Sequence, residues 1–126
     1  MSHTTVWETN GVYWKLDGEL TSTELFEFNQ ELLTGSAIDQ MKYFIVDCLG
    51  VTTYRDDSDD AKLTAIQSNE LTRYNQQMIG VFVYDTPLME ELIKGYIATM
   101  EALGAPWDLV SMDTLEDARN WIEATT

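Results

Sequence analysis

Carboxylates are the residues of this chain with the greatest capacity for chemistry. The 126 residues carry 22 Asp plus Glu against 7 Lys plus Arg, which gives a formal net charge of −15. The densest group is Asp-Asp-Ser-Asp-Asp at residues 56–60. Mg²⁺ and Ca²⁺ prefer such oxygen ligands, but the stretch lacks the turn glycine and final glutamate of an EF-hand loop. Because helix N-termini also favour negative charge, we interpret the group as a solvated helix start and predict no metal site.

The residues that usually act as nucleophiles and bases are scarce. Cys48 is the single cysteine, which excludes an intramolecular disulfide and a Cys-only zinc cluster. The single histidine, His3, lies at the N-terminus, which argues against a His-based metal site or a Ser-His-Asp triad. Asp47 follows a buried run, where a receiver domain carries its acceptor, but no lysine follows Val110 and an opening hairpin spoils the receiver order. Negative charge at Asp47 also disfavours a reactive Cys48 thiolate. We therefore predict a protein without catalytic residues or a cofactor, and not an enzyme.

The charge and hydropathy exclude further classes of function. Seven dispersed cations form no patch for phosphates, so we predict no nucleic-acid partner. A hydrophobic content of 44% allows a folded core rather than a disordered acidic tail. The longest apolar run is far below the ~20 residues of a membrane span, and no signal peptide is visible. These features predict one cytoplasmic domain.

The first elements are predicted from local signals. Asn10-Gly11 separates two β-prone runs, which is typical of a hairpin turn. Thr21 and Glu24 have the spacing of a capping box, so a helix is expected from there to about Gly35. The continuous apolar run 43–46 indicates a strand that is buried on both faces.

The second half of the chain alternates helices and strands. A polar helix is predicted over residues 59–77, a buried strand over 79–84 and a helix from Thr86 to Gly104 with Pro87 in its first turn. A strand over 108–112 and a last helix capped by Asp113 or Thr114 follow. The β-β-α-β-α-β-α-β-α order predicts a single-domain α/β fold, residues 1–126, with a mixed sheet.

The two long helices differ in polarity, and this predicts a binding site. The helix over 86–104 is apolar over a broad face, whereas the helix over 59–77 is diluted by polar residues. Adaptable Met and aromatic side chains between them are typical of an apolar pocket. The candidate ligand-binding residues are Leu63, Ile66, Tyr74, Leu92, Tyr96 and Met100. An ordinary core with a dimer contact is the alternative, and we expect a homodimer because surplus apolar surface needs covering.

Two stretches of the chain resemble a known family. Residues 43–52, Tyr-Phe-Ile-Val-Asp-Cys-Leu-Gly-Val-Thr, are similar to its buried strand and following loop. Residues 112–118, Met-Asp-Thr-Leu-Glu-Asp-Ala, are similar to its short strand and last helix start. With the element order over residues 6–121, they resemble the SpoIIAA-like family, bacterial relatives of the STAS domain. The resemblance implies a STAS-type fold, which is similar to that of CRAL-TRIO lipid-binding domains.

The resemblance implies two kinds of partner. Likeness to CRAL-TRIO domains implies an apolar or lipid-like ligand with peripheral membrane association, which is our leading hypothesis. STAS anti-sigma-factor antagonists instead bind regulatory proteins and are phosphorylated on a serine at the start of the second helix. In the matching region Ser58 is the one candidate acceptor, and its four flanking aspartates would repel a phosphate. A protein–protein regulator is therefore the alternative.

Overall fold

The computed structural model describes residues 2–34, 38–55 and 62–126, and of residues 2, 33, 34 and 62–65 only the backbone. The strands are β1 (Ser2–Trp7), β2 (Gly11–Thr21), β3 (Tyr43–Arg55), β4 (Ile79–Val83) and β5 (Asp108–Met112). The α-helices are α1 (Ser22–Thr34), α2 (Lys62–Leu71), α3 (Pro87–Ala102) and α4 (Leu115–Thr125), with a 3₁₀ turn at Ile38–Gln40. The predicted order of strands and helices is confirmed.

One five-stranded mixed sheet organises the fold. Its strand order is β1-β2-β3-β4-β5. β1 pairs antiparallel with β2 through the hairpin, and the remaining pairs are parallel. β3 and β4 bury side chains on both faces of the sheet, with Phe44 and Phe82 on one face and Ile45 and Val81 on the other, which explains why their sequences are continuously apolar rather than alternating.

The two faces of the sheet carry separate cores. On one face, Val12, Trp14 and Leu16 of β2 join side chains of α1, α2 and α3. On the other, strand residues such as Ile45 and Val81 pack against Ala118 and Ile122 of α4. Three helices thus cover one face and a single helix the other, and the candidate site lies on the three-helix face.

Threonines begin three of the helices. Glu24 N–H donates to Thr21 Oγ1 while Thr21 N–H donates to Glu24 Oε1, each at 3.3 Å, which is the predicted capping box. Thr86 Oγ1 accepts from the backbone of Met89 and precedes Pro87. Thr114, rather than Asp113, caps α4 by accepting from Asp117 N–H.

The structure corrects two of the predicted lengths. β3 continues from the predicted run 43–46 to Arg55, because it pairs with β2 as far as Thr21 through two register shifts. Asp47 therefore lies within a strand and not at its end. α2 ends at Leu71 rather than at Gln77. The Nδ2 of Asn75 donates to the carbonyls of Ile38 and Met41 at 2.7 and 2.6 Å, which holds residues beyond Leu71 away from a helical path.

Candidate functional site: an apolar cavity

A cavity of about 500 Å³ lies between the sheet and the helices on the three-helix face. The sheet supplies one wall through residues of β2, β3 and β4: Trp14, Leu16, Phe44, Val46, Cys48 and Phe82. The opposite wall comes mainly from α1 and α3: Leu25, Phe28, Leu32, Met89, Leu92 and Ile93. Sites for small organic ligands commonly have about 300–1,000 Å³ and such apolar walls. The space is therefore suited to an apolar molecule of small to moderate size.

Aromatic rings form a continuous band along this cavity. Trp14 stacks on Phe28 with ring centroids 5.1 Å apart, and Phe44 lies 6.1 Å from Trp14. Phe44 also meets Phe82 and Trp107 edge-on, and Phe82 meets Tyr96 at 5.6 Å. All six rings line the cavity. Rigid aromatic faces give a ligand a large apolar contact area at little cost in side-chain entropy.

The indole nitrogens of the band are bonded to groups of the protein. Trp14 Nε1–H donates to Glu31 Oε2 at 2.7 Å, and Trp107 Nε1–H donates to the carbonyl of Asn75 at 2.6 Å. Each tryptophan thereby satisfies its polar atom within the fold. What these two residues contribute to the cavity is apolar ring surface.

A short series of hydrogen-bonded neutral side chains interrupts the apolar wall. Ser68 of α2 donates to Asn29 Oδ1 at 2.9 Å, and the amide of Asn29 donates to Gln67 Oε1 at 3.1 Å. Burial raises the pKa of Tyr96 to about 12, although a hydrogen bond with Ser68 acts in the opposite direction. At neutral pH this part of the lining is therefore polar but uncharged.

Cys48 lies in the sheet wall and is 2% exposed. Burial, followed by the negative charge of Asp47, raises the pKa of the Cys48 thiol to about 12. A neutral buried thiol is a weak nucleophile. The geometry agrees with the sequence interpretation of Cys48 as an inert side chain, although it is more deeply buried than expected.

The predicted ligand-binding residues are not all brought together. Leu92 and Tyr96 line the cavity. Met100 is buried in the neighbouring core but is not among the described lining residues. Ile66 and Tyr74 are 46% and 57% exposed, and Tyr74 borders a separate, smaller pocket. The side chain of Leu63 and the whole of Ser58 lie outside the described residues, so their roles stay predictions.

The sheet residues of the cavity are not among the ligand-binding residues predicted from the sequence. Trp14, Val46 and Phe82 pair with one another across three adjacent strands and so stand side by side on one face. The alternation of Val12, Trp14 and Leu16 is a usable signal that their side chains share that face. Nothing in the sequence shows which strands are neighbours, and the strand order is what places these three side chains together.

The opposite face carries a polar cluster around α4. Tyr13 donates to Asp47 Oδ2 at 2.6 Å, while both carboxylate oxygens of Glu8 accept from Arg119, at 2.6 and 2.7 Å. Tyr43 also donates to Glu8, and the Arg119 guanidinium lies 5.4 Å from the centre of the Tyr13 ring. The hydrogen bonds from Arg119 lower the pKa of Glu8, against the desolvation that raises it. Because these groups hydrogen-bond to one another, we interpret the cluster as the contact that holds α4 against the β1–β2 hairpin.

Within the described ranges 2–34, 38–55 and 62–126, no three His, Cys, Asp or Glu side chains converge in a way that could hold a metal ion. The acidic stretch 56–60 lies outside these ranges. No described helix combines the length and the apolarity that crossing a membrane requires.

Comparisons with known proteins were made by family, by sequence and by structure. No protein-family model matches the chain, and no curated protein matches it in sequence. The anti-sigma factor antagonist SpoIIAA in its unphosphorylated form superposes with a TM-score of 0.63 at 18% identity, covering 97% of this chain and 98% of that one. The chain has a SpoIIAA-like fold.

Two other solved structures support the same fold. The phosphorylated form of the Bacillus cell fate determinant SpoIIAA gives a TM-score of 0.61 at 16% identity, over 96% of this chain and 99% of that one. An uncharacterized DUF3478-family protein from Shewanella loihica PV-4, described as having a SpoIIAA-like fold, gives 0.55 at 13% identity, over 96% and 92%. The predicted SpoIIAA-like architecture is confirmed, whereas the likeness to CRAL-TRIO domains stays a prediction.

Proposed function

We propose that this protein is a non-enzymatic binding module that holds an apolar or lipid-like molecule in the cavity. The observation that carries the proposal is the cavity itself: about 500 Å³ of space bordered by a band of six aromatic rings. Burial of apolar ligand surface stabilises a complex by about 25 cal/mol per Å² before the entropy cost of binding is subtracted. A ligand that fills this space would therefore gain enough from apolar contact to bind without ionic interactions.

Native mass spectrometry of the purified protein, followed by organic extraction, tests the proposal. We expect an apolar molecule to co-purify, or an added aliphatic probe to bind to ligand-free protein in a defined stoichiometry. If no molecule co-purifies and no aliphatic probe binds, the proposal is wrong.

A variant that obstructs the cavity tests whether the ligand binds there. Gly95 lies on α3 and lines the cavity, and a Cβ placed there would meet no atom within 4 Å. Gly95→Phe should therefore obstruct the space without disturbing the sheet and should weaken probe binding at least about tenfold. Ala98→Phe is the matched control, because Ala98 is exposed on the same helix and is not a described lining residue. Equal binding by the two variants would place the ligand elsewhere.

A second candidate function is regulation through a protein partner. It is favoured by the likeness to SpoIIAA, which is described as an anti-sigma factor antagonist and is known in phosphorylated and unphosphorylated forms. On this proposal the chain binds a kinase-like or sigma-related protein, and Ser58 accepts phosphate. Membrane association would then be unnecessary, and the apolar cavity would be an internal feature of the module.

Intact-mass measurement after affinity capture from the native host tests this second candidate. The regulator proposal predicts a phosphorylated form that disappears in Ser58→Ala and persists in Ser111→Ala, the control at an exposed serine of β5. It also predicts that the captured protein is a kinase or a sigma-related factor. If Ser58→Ala retains both the phosphate and the partner, the regulator proposal is wrong.

A further inference from the structure

The cavity wall is nearly free of charge, and this limits the chemistry of the ligand. Among the described residues that line it, Glu91 is the single one with a formal charge, and no described lining residue is a cation. The remaining polar groups are the amide of Asn29 and the hydroxyls of Ser68, Tyr54, Tyr96 and Thr99, together with the thiol of Cys48. These groups offer hydrogen bonds but no counter-ion.

A carboxylate end would be poorly accommodated at any depth in this cavity. Deep in the cavity it would be buried among the described lining residues, none of which is a cation, and this is costly because burial of an unpaired charge must be compensated. At the rim of α3 it would approach Glu91, which is exposed and carries the same charge. The whole molecule, with a net charge of −15, adds a further repulsive field.

A cationic end fits only one part of the site. The carboxylate of Glu91 could attract it at the rim, but exposed ion pairs contribute little to affinity. Deeper in the cavity the aromatic rings would attract a cation, but no described lining carboxylate would pair with it, so the cost of removing its charge from water would be only partly offset. An uncharged end carries no buried charge and so avoids this desolvation cost.

We propose that the ligand of the cavity is an uncharged apolar molecule carrying at most neutral hydrogen-bonding groups, and that anionic amphiphiles such as fatty acids bind at least about tenfold more weakly. This inference rests on the proposed binding function and specifies its ligand class. Glu91 is the residue to which we assign the smaller part of this discrimination, at the rim, because its carboxylate is exposed.

A matched series of ten-carbon probes tests the inference. Decanol, decanoate and decylammonium share one chain and differ in the charge of one end. Isothermal titration calorimetry on the full-length protein, below micellar concentrations and at neutral pH, should show decanol binding most tightly and decanoate at least about tenfold more weakly. Tightest binding by decanoate or by decylammonium would overturn the inference while leaving the binding function intact. No binding by any of the three would instead contradict the binding function.

Charge reversal on α3 tests the role of Glu91. Glu91→Lys should strengthen decanoate binding by about fivefold and leave decanol binding unchanged, because only the ligand carboxylate senses the new charge. Glu101→Lys makes the same charge change at an exposed position of α3 that does not line the cavity. If both variants improve decanoate binding equally, net charge rather than Glu91 sets the discrimination.

Discussion

Two glycines show how strongly the effect of one residue depends on the space around it. Gly95 lies within α3, and a Cβ there meets no atom within 4 Å. Because glycine costs about 0.5–1 kcal/mol relative to alanine inside a helix, Gly95→Ala should raise the free energy of unfolding by that amount. Gly80→Ala in β4 should lower it by about 1–3 kcal/mol, because the new Cβ overlaps the buried ring of Phe44. Chemical denaturation measures both changes, and a destabilised Gly95→Ala would contradict the open surroundings of that position.

The contact between Glu8 and Arg119 predicts a pH dependence. Hydrogen bonds from Arg119 lower the pKa of the Glu8 carboxyl in the folded protein, against desolvation. A lowered folded-state pKa contributes stability above the unfolded pKa, and this contribution is lost as the pH falls through the folded value. Glu8→Gln should therefore destabilise the protein by about 1 kcal/mol at pH 7 and by progressively less in acid.

Denaturation of wild type and Glu8→Gln between pH 7 and pH 3 checks this dependence. Glu90→Gln is the matched control, because Glu90 pairs with Lys94 at an exposed site on α3, where we expect little change at any pH. A destabilisation by Glu8→Gln that stays constant across the range would show that the ion pair does not cause it.

At the residue scale, the cavity was only partly predictable from the sequence. Leu92 and Tyr96 follow the helical spacing of α3, and both line the cavity. Tyr74 was assigned to α2 by the same reasoning, yet the helix ends at Leu71 because Asn75 bonds to the carbonyls of Ile38 and Met41. Met100 and Ile66 lie within continuous helix, in α3 and α2, yet neither lines the cavity. Helical spacing alone therefore does not show which face of a helix meets the cavity.

Among the elements, those with local signals were predicted best. The capping threonines and Pro87 define helix starts through contacts within one turn, so Thr21, Thr86 and Thr114 fell close to their predicted positions. β2 and β3 extend to Thr21 and Arg55 because each is the other's pairing partner. Such lengths depend on a neighbour that the local sequence does not reveal.

α2 should open locally more easily than the central strand β4. Ser68 is buried and bonds to Asn29, Leu71 is buried as well, and Ile66 of the same helix is 46% exposed. By contrast, all five residues of β4 are buried. Because local opening is favoured where few apolar contacts must break, the amides of residues 68–71 should exchange at least about tenfold faster than those of β4.

Hydrogen exchange with mass spectrometry or NMR measures this difference. Since Ser68 lines the cavity, saturating decanol should slow exchange in residues 68–71 and leave the outer turns of α4 unchanged. Exchange in α2 as slow as in β4 in the absence of decanol would contradict this account of the helix.

For the molecule as a whole, charge and exposed apolar surface act in opposite directions on self-association. Large apolar side chains are 40% or more exposed at several places, among them Val6, Trp7, Phe26, Leu49, Leu88 and Leu103. Burying such groups in a homodimer would be favourable. Each copy, however, carries a net charge of −15, and the resulting repulsion is long-ranged at low ionic strength, where the Debye length is about 30 Å at 0.01 M salt.

The homodimer predicted from the sequence should therefore depend on salt. Raising NaCl from about 0.01 M to 0.5 M shortens the Debye length several-fold, so it should remove most of the repulsion while leaving the apolar attraction in place. Light scattering coupled to size-exclusion chromatography should show a rising dimer fraction over this range. Two variants then distinguish two possible contact surfaces. Trp7→Ser removes an exposed apolar side chain of β1, and Leu103→Ser removes one just beyond α3. A monomeric mass at every salt concentration would show that the exposed apolar groups are too dispersed to form an interface.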